Sequence, residues 1–209
     1  MIVSDRFMIN TMSTSLAPFQ VCVYCASSDQ IDAAYFKDTE RLAELLVVRG
    51  INVVYGGGGS GLMGCLATTM VRKSGQIKGI MPHFMKDVEW AHKEVKEFLF
   101  VADMHERKKA FLQNTDALIA LAGGCGTFEE LFEAITLKKL GLFTKPIVIL
   151  NTNGYYDPLV EMLDRSIREG FMGEVHAQMW TVVSTPEEII PAILNAAPWS
   201  EDAIKFAKG

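Results

Sequence analysis

Ala117-Leu118-Ile119-Ala120-Leu121-Ala122-Gly123-Gly124-Cys125-Gly126-Thr127-Phe128-Glu129-Glu130 reads as a short apolar strand, a glycine-rich turn and the opening of a helix. The first five residues form an unbroken apolar run, as a strand buried on both faces requires. Beyond the turn, Glu130-Leu131-Phe132-Glu133-Ala134-Ile135 continues at helical spacing. A strand feeding a helix in this way is the repeating unit of a parallel α/β sheet. The turn also has chemical content. Amides at a helix start lack intrahelical acceptors and sit at the positive end of the macrodipole, so they attract phosphate, and glycines let it approach the chain closely. The spacing puts Glu129 and Glu130 in the helix's first turn. Thr127 followed by Glu130 also matches a capping box, in which hydroxyl and carboxylate satisfy each other's backbone donors, so Glu130 is open to a structural or a chemical reading.

Outward from this unit the same alternation repeats. Val21 to Cys25, Asn52 to Tyr55, Ile77 to Met81, Phe98 to Val101, Ile147 to Leu150 and Thr181 to Val183 read as strands. Helices are expected from Asp32 to Arg49 with Gly50 as the stop, and over Leu62 to Lys73, Asp103 to Asn114, Tyr156 to Glu169 and Pro186 to Asn195. Pro82 to Lys96 has no clear period and reads as a helical or loop excursion over the sheet edge. The order predicts an α/β fold: a doubly wound parallel sheet with helices on both faces, in a single domain over 18–197. Residues 1–17 read as a loosely ordered extension and 198–209 as a tail.

With 209 residues, 49% hydrophobic and 22% charged, the chain can bury a substantial core without disulfides or metal. No apolar run is long enough to span a bilayer, so no membrane association is expected. The net charge of -5 offers no general attraction for nucleic acid, and any phosphate site must be built locally. Cys22, Cys25, Cys65 and Cys125 are too few and scattered for a disulfide framework, which suits a reducing cytoplasm. Cys22-Val23-Tyr24-Cys25 has redox-motif spacing but lies in a strand instead of opening a helix, so two core thiols are expected.

Two further stretches join the first. Gly56-Gly57-Gly58-Gly59-Ser60-Gly61-Leu62-Met63-Gly64 follows a strand, opens a helix and fits G-x-G-x-x-G in two registers. Its bland reading is a tight turn needing positive φ and close helix packing. It lacks the Gly-Lys-Ser/Thr ending of a P-loop, and a dinucleotide site would need a ribose-binding acid for which Asp87 and Glu89 are only approximate candidates. Met104-His105-Glu106-Arg107-Lys108-Lys109 supplies a guanidinium fork and a point charge early in a helix. Taken alone, a solvated basic face is the default for such a run, and His105 reads as structural.

In this order Tyr55-Gly56-Gly57-Gly58, Gly61-Leu62-Met63-Gly64, Val101-Ala102-Asp103-Met104-His105-Glu106-Arg107-Lys108, Gly123 to Glu130 and Gly154-Tyr155-Tyr156-Asp157 closely resemble the LOG family, the cytokinin riboside 5'-monophosphate phosphoribohydrolases. The resemblance runs from about Val21 to Leu194. It implies a homodimeric, Rossmann-like hydrolase that splits the N-glycosidic bond of a nucleoside 5'-monophosphate, here adenosine monophosphate with or without an N6-prenyl group, using no metal or organic cofactor. Carried over by position, the catalytic pair falls on Arg107 and Glu130. Substrate contacts fall on Glu89, Lys108, Gly124, Cys125, Gly126, Thr127, Phe128, Glu129 and Thr136, and Gly57, Gly58, Gly61 and Met63 frame phosphate and ribose.

The chemistry asks for such groups. Breaking C1'–N9 builds positive charge on the ribose, which a carboxylate can stabilise while activating water. Arg107 can anchor phosphate, orient Glu130 or offset charge, three roles that spacing does not separate. Two positions depart from the family pattern: Ala122 stands where Pro is usual, and Leu137 where many relatives carry Trp. A purine nucleotide salvage nucleosidase and a noncatalytic nucleotide-holding module are the alternatives. The family also bears the label "possible lysine decarboxylase", a reaction that would need an electron sink, with no residue standing out as its Schiff-base lysine.

Overall fold

The structure is a computed structural model and describes residues 18–86 and 90–207. The expected extension over 1–17 and the candidate residues Asp87 and Glu89 lie outside the described residues.

Seven strands alternate with helices along the chain: β1 (Gln20–Tyr24), α1 (Ala33–Val48), β2 (Asn52–Tyr55), α2 (Gly61–Arg72), β3 (Ile77–Pro82), the single turn α3 (His83–Lys86), β4 (Glu97–Val101), α4 (Met104–Leu112), β5 (Ala117–Ala120), α5 (Cys125–Lys139), β6 (Ile147–Leu150), α6 (Asp157–Arg168), β7 (Thr181–Val183) and α7 (Pro186–Asn195). All pairings within the sheet are parallel, and the order is β4-β3-β2-β1-β5-β6-β7. The doubly wound α/β architecture expected from the alternation is therefore the one observed.

Successive side chains of a strand face opposite sides, and the core divides accordingly. Val21, Val23, Val53, Ile119 and Val148 pack under α1, α2 and α7. Cys22, Tyr24, Val54, Leu118 and Ile149 pack under α4, α5 and α6. Cys22 and Cys25 fall in these two separate cores as free thiols, so the C-x-x-C spacing forms no redox pair. Each central strand is buried on both faces, which is why it reads as continuous apolar sequence instead of alternation.

Strand order reverses direction between β1 and β5, and ligands of open α/β sheets gather beyond the carboxyl ends of strands at such a switch. The loops after β1, β2, β3 and β5 converge there. Residues 199–206 pack on the far end of α5, with the Trp199 indole donating to the Lys138 carbonyl at 2.6 Å. Among the described residues no helix is long and apolar enough to cross a membrane.

Candidate active site

Arg107 leaves α4 one turn after a well-made cap. Asp103 accepts from the amides of His105 and Glu106 at 2.8 and 2.9 Å, and Glu106 accepts in return from the Ala102 amide at 2.9 Å. Held by this reciprocal cap, the helix aims Arg107 at the ends of β2 and β3. Its Nε donates to the Ile80 carbonyl at 3.2 Å and its Nη2 to the Gly56 carbonyl at 3.1 Å, while the guanidinium lies over the Phe111 ring at 5.0 Å. Only 7% of the residue is exposed. The solvated basic face read for this stretch is thus corrected at Arg107: two carbonyls at strand ends offer acceptors that a buried guanidinium needs.

Glu130 reaches the same point from α5. Its carboxylate lies 3.6 Å from Arg107 Nη1, and both side chains are buried. Burial pushes the carboxyl up to about 7, with Arg107 opposing that rise and Glu129 adding to it. Helix α5 starts at Cys125 with Gly124 as its N-cap, without a side-chain cap. Thr127 is therefore the third helical residue and not a cap, no capping box forms with Glu130, and the two acids sit in the second turn. The extended backbone of Gly124 begins the helix three residues earlier than the Thr127 cap would. The amides of Cys125, Gly126 and Thr127 consequently have no acceptor among the described residues, and residues 124–126 are exposed.

The strand end that feeds this helix is tied down from three sides. The Ala26 amide donates to the Ala122 carbonyl at 3.0 Å. Tyr156 and Tyr155 donate their hydroxyls to the carbonyls of Leu121 and Gly123 at 2.7 and 2.6 Å, and Phe128 stacks along Tyr155 with centroids 6.3 Å apart. These contacts hold the turn at Ala122, which has no proline ring to stiffen it.

The other glycine turn is used differently. Gly61 has φ of +60°, and a side chain there would meet the backbone of Ser27 and Ser28 within 2.7 Å. Its amide, the first of α2, already donates to Asp29 Oδ1 at 2.6 Å, and the Met63 amide donates to the Ala26 carbonyl at 3.1 Å. Of the two glycine-rich helix starts, α5 has the open amides and α2 has acceptors from its own chain. Gly56, Gly58, Met63 and Arg107 line a cavity of about 530 Å³ together with the segment from Trp90 to Glu94 and with Met81 and Met85.

The remaining expected contacts divide. Lys108 pairs with Glu129, and with Glu133 at 3.3 Å, so two candidate substrate residues engage each other. Thr136 is exposed, its hydroxyl donating to the Phe132 carbonyl at 2.8 Å, and it is not part of the cavity wall. Gly57, with φ of +81°, shapes the turn beside Gly58. Spacing gave no role to Ser27, Met81, Met85, Trp90 or His92, all of which line the cavity. Residues 90–92 reach it through one antiparallel bridge, Gly58 to Ala91, a pairing with no sequence period to betray it.

A doubly wound α/β fold with a cavity beyond its strand ends, and an acid–arginine pair beneath a glycine turn, defines a Rossmann-type protein. The chain matches over residues 63–193 the family model described as "Possible lysine decarboxylase". It is 40% identical over 171 residues to "Probable cytokinin riboside 5'-monophosphate phosphoribohydrolase LOGL1" of Oryza sativa subsp. japonica, covering 82% of this chain and 77% of that one. It is 39% identical over 187 residues to "Cytokinin riboside 5'-monophosphate phosphoribohydrolase LOG2" of Arabidopsis thaliana, covering 88% and 87%. The chain belongs to the LOG family. Among solved structures, the molybdenum cofactor binding protein of Rippkaea orientalis has a TM-score of 0.65 at 20% identity, covering 86% of this chain and 97% of that one, a likeness of fold.

Proposed function

We propose that the protein is a phosphoribohydrolase that cleaves the N-glycosidic bond of N6-prenylated adenosine 5'-monophosphate, releasing the cytokinin base and ribose 5-phosphate. The observation that carries this reading is the buried Arg107–Glu130 pair: its arginine lines the glycine-walled cavity, and its acid stands on the helix whose start has open amides. The plant relatives bear the names of enzymes with this activity.

In this reading the phosphate takes the free amides of Cys125, Gly126 and Thr127. Glu130 faces C1' of the ribose. As C1'–N9 breaks, the bonding pair leaves with the purine, the oxygen of water bonds to C1', and the water proton passes to the Glu130 carboxylate, which returns it to the departing base. A carboxyl group held near 7 is suited to accept and return a proton at neutral pH. Arg107 has Nε and one Nη2 hydrogen committed to carbonyls, which supports orientation of Glu130 over anchoring of phosphate. Met63, Met81, Met85 and Trp90 make an adaptable apolar wall suited to a prenyl chain.

The enzyme works as a homodimer in the cytoplasm in this proposal. Leu112, Leu137, Leu142 and Phe143 line a groove between α4 and α5 flanked by Lys108, Lys109 and Glu133, with Leu142 72% exposed, a mixed face fitted to a second copy. The unpaired thiols of Cys22 and Cys25 suit a reducing compartment. The decarboxylase description finds less support. The buried lysine Lys138, depressed to about 8 by burial, lies in the last turn of α5 and donates to the Lys145 carbonyl at 2.9 Å. About 20 Å of helix separates it from the open amides.

Incubation with AMP and with isopentenyl-AMP tests the proposal. Ribose 5-phosphate and free base are expected, faster from the prenylated nucleotide. Tight nucleotide binding with no product identifies a noncatalytic module, and equal turnover of AMP identifies a salvage nucleosidase.

A further inference from the structure

His92 is buried in the cavity wall, with 8% of its surface exposed, and its backbone N–H and both ring nitrogens are engaged. Its amide donates to the Gly57 carbonyl at 2.9 Å, and the neighbouring Trp90 carbonyl accepts from the Gly59 amide at 2.9 Å. On the ring, Nδ1 accepts from the Glu94 amide at 3.2 Å and Nε2 lies 3.0 Å from the Thr68 hydroxyl on α2. A backbone amide can only donate, so Nδ1 carries no proton and the neutral ring holds its hydrogen on Nε2, directed at Thr68. One side chain thus ties together the wall segment, the glycine turn and α2.

We propose that His92, as the neutral Nε2–H tautomer, is a positioning residue that fastens the Trp90–Glu94 wall against the glycine turn and so sets the affinity for nucleotide. This rests on the nucleotide reading of the cavity. Protonation would place a second hydrogen on Nδ1 facing the Glu94 N–H, donor against donor, and undo that end of the clasp. Burial lowers the imidazole below its ordinary value, opposed by the Glu94 carboxylate. The other charged groups around this point are Lys93 on the same segment, Arg107 across the cavity, and Arg72 one turn beyond Thr68, paired with Glu40 at 2.5 Å. Loosening acts on binding, because His92 reaches the Arg107–Glu130 pair only across the cavity.

Two measurements on the full chain decide it. Long-range 15N–1H spectra of the imidazoles should show His92 as the Nε2–H tautomer at neutral pH, ionising below about 6.5. In kinetics with isopentenyl-AMP, His92→Ala should raise KM about three- to tenfold, as the loss of one or two hydrogen bonds predicts, with kcat nearly unchanged. As pH falls below the ordinary imidazole value, wild-type KM should rise more than that of the variant, in which only the nucleotide phosphate titrates in common, and His92→Gln should restore part of the affinity through its donor. An Nδ1–H tautomer, a charged ring at pH 7, or an unchanged KM in both variants overturns the proposal. If His92→Ala fails to fold, His92→Gln and the spectra decide. Absence of turnover in the wild type would refute the hydrolase reading alone, since the tautomer and the affinity for AMP measured by calorimetry still test the clasp.

Discussion

Arg107 Nη1 and Glu130 Oε1 stand 3.6 Å apart beneath the Gly56 turn, although the two residues belong to helices on either side of β5 in sequence. The pair is buried, and its arginine is pinned by the carbonyls of Gly56 and Ile80. That arrangement separates a chemical Glu130 from a capping one.

Glu130→Gln should lower kcat by about 10²- to 10⁴-fold, the range for loss of a general base, in a protein that remains folded. Product assays beside circular dichroism check this. A variant that keeps wild-type turnover would remove Glu130 from the chemistry.

The same substitution has an opposite signature in stability. Glu130 is raised from 4.5 to about 7 in the folded protein, so its favourable contribution is complete below 4.5 and is lost as pH rises through the folded value. Melting temperatures of wild type and Glu130→Gln should coincide near pH 4.5, and the variant should be the more stable at pH 8. A helix cap would instead cost about 0.5 to 2 kcal/mol on removal at pH 8.

Ionisation of Glu130 also predicts that kcat/KM climbs with pH through the region of 7, since that ratio reports groups of the free enzyme. The limb should vanish in Glu130→Gln. Its persistence there would assign it to another group.

At Gly56 an added Cβ would come within 2.6 Å of Arg107 Nη2 and 2.8 Å of the Met63 sulfur. Gly56→Ala should therefore displace the guanidinium and reduce turnover more than it reduces stability, for which overpacking costs about 1 to 3 kcal/mol. A fully active variant would show that Arg107 need not be held at this carbonyl.

Tyr156→Phe leaves the buried Leu121 carbonyl without its hydroxyl donor and should cost about 1 to 3 kcal/mol in chemical denaturation. Tyr155 is partly exposed, so Tyr155→Phe should cost less stability and act on KM by freeing the Gly123 carbonyl at the phosphate turn. The reverse ranking would contradict the roles argued for the two hydroxyls.

Most element boundaries were legible, and the reason is burial. Ile147–Leu150, Thr181–Val183 and Pro186–Asn195 fall where the apolar runs and the helical spacing from Pro186 announce them. The start of α5 was misplaced because Thr127 and Glu130 satisfy a pattern that Gly124 pre-empts. For Met104 to Lys109 the spacing alone does not say which cation finds buried acceptors: the family resemblance singles out Arg107, and the carbonyls that hold it are visible only in the fold. The place of Trp90 to His92 against the glycine turn has no local signal, since its hold there is a single bridge and a few hydrogen bonds between distant segments.

Periodicity and glycine placement were enough to specify the parallel α/β fold and to mark two helix starts as anion-friendly, because strand burial and turn sterics act over a few neighbouring residues. Which start keeps its amides free, which acid meets which base, and what walls the cavity are settled by contacts spanning tens of residues: Asp29 on Gly61, Arg107 on Glu130, Tyr155 on Gly123. Those contacts depend on how the strands are ordered in the sheet, and local sequence has no means of encoding distances between segments that meet only when the chain is packed.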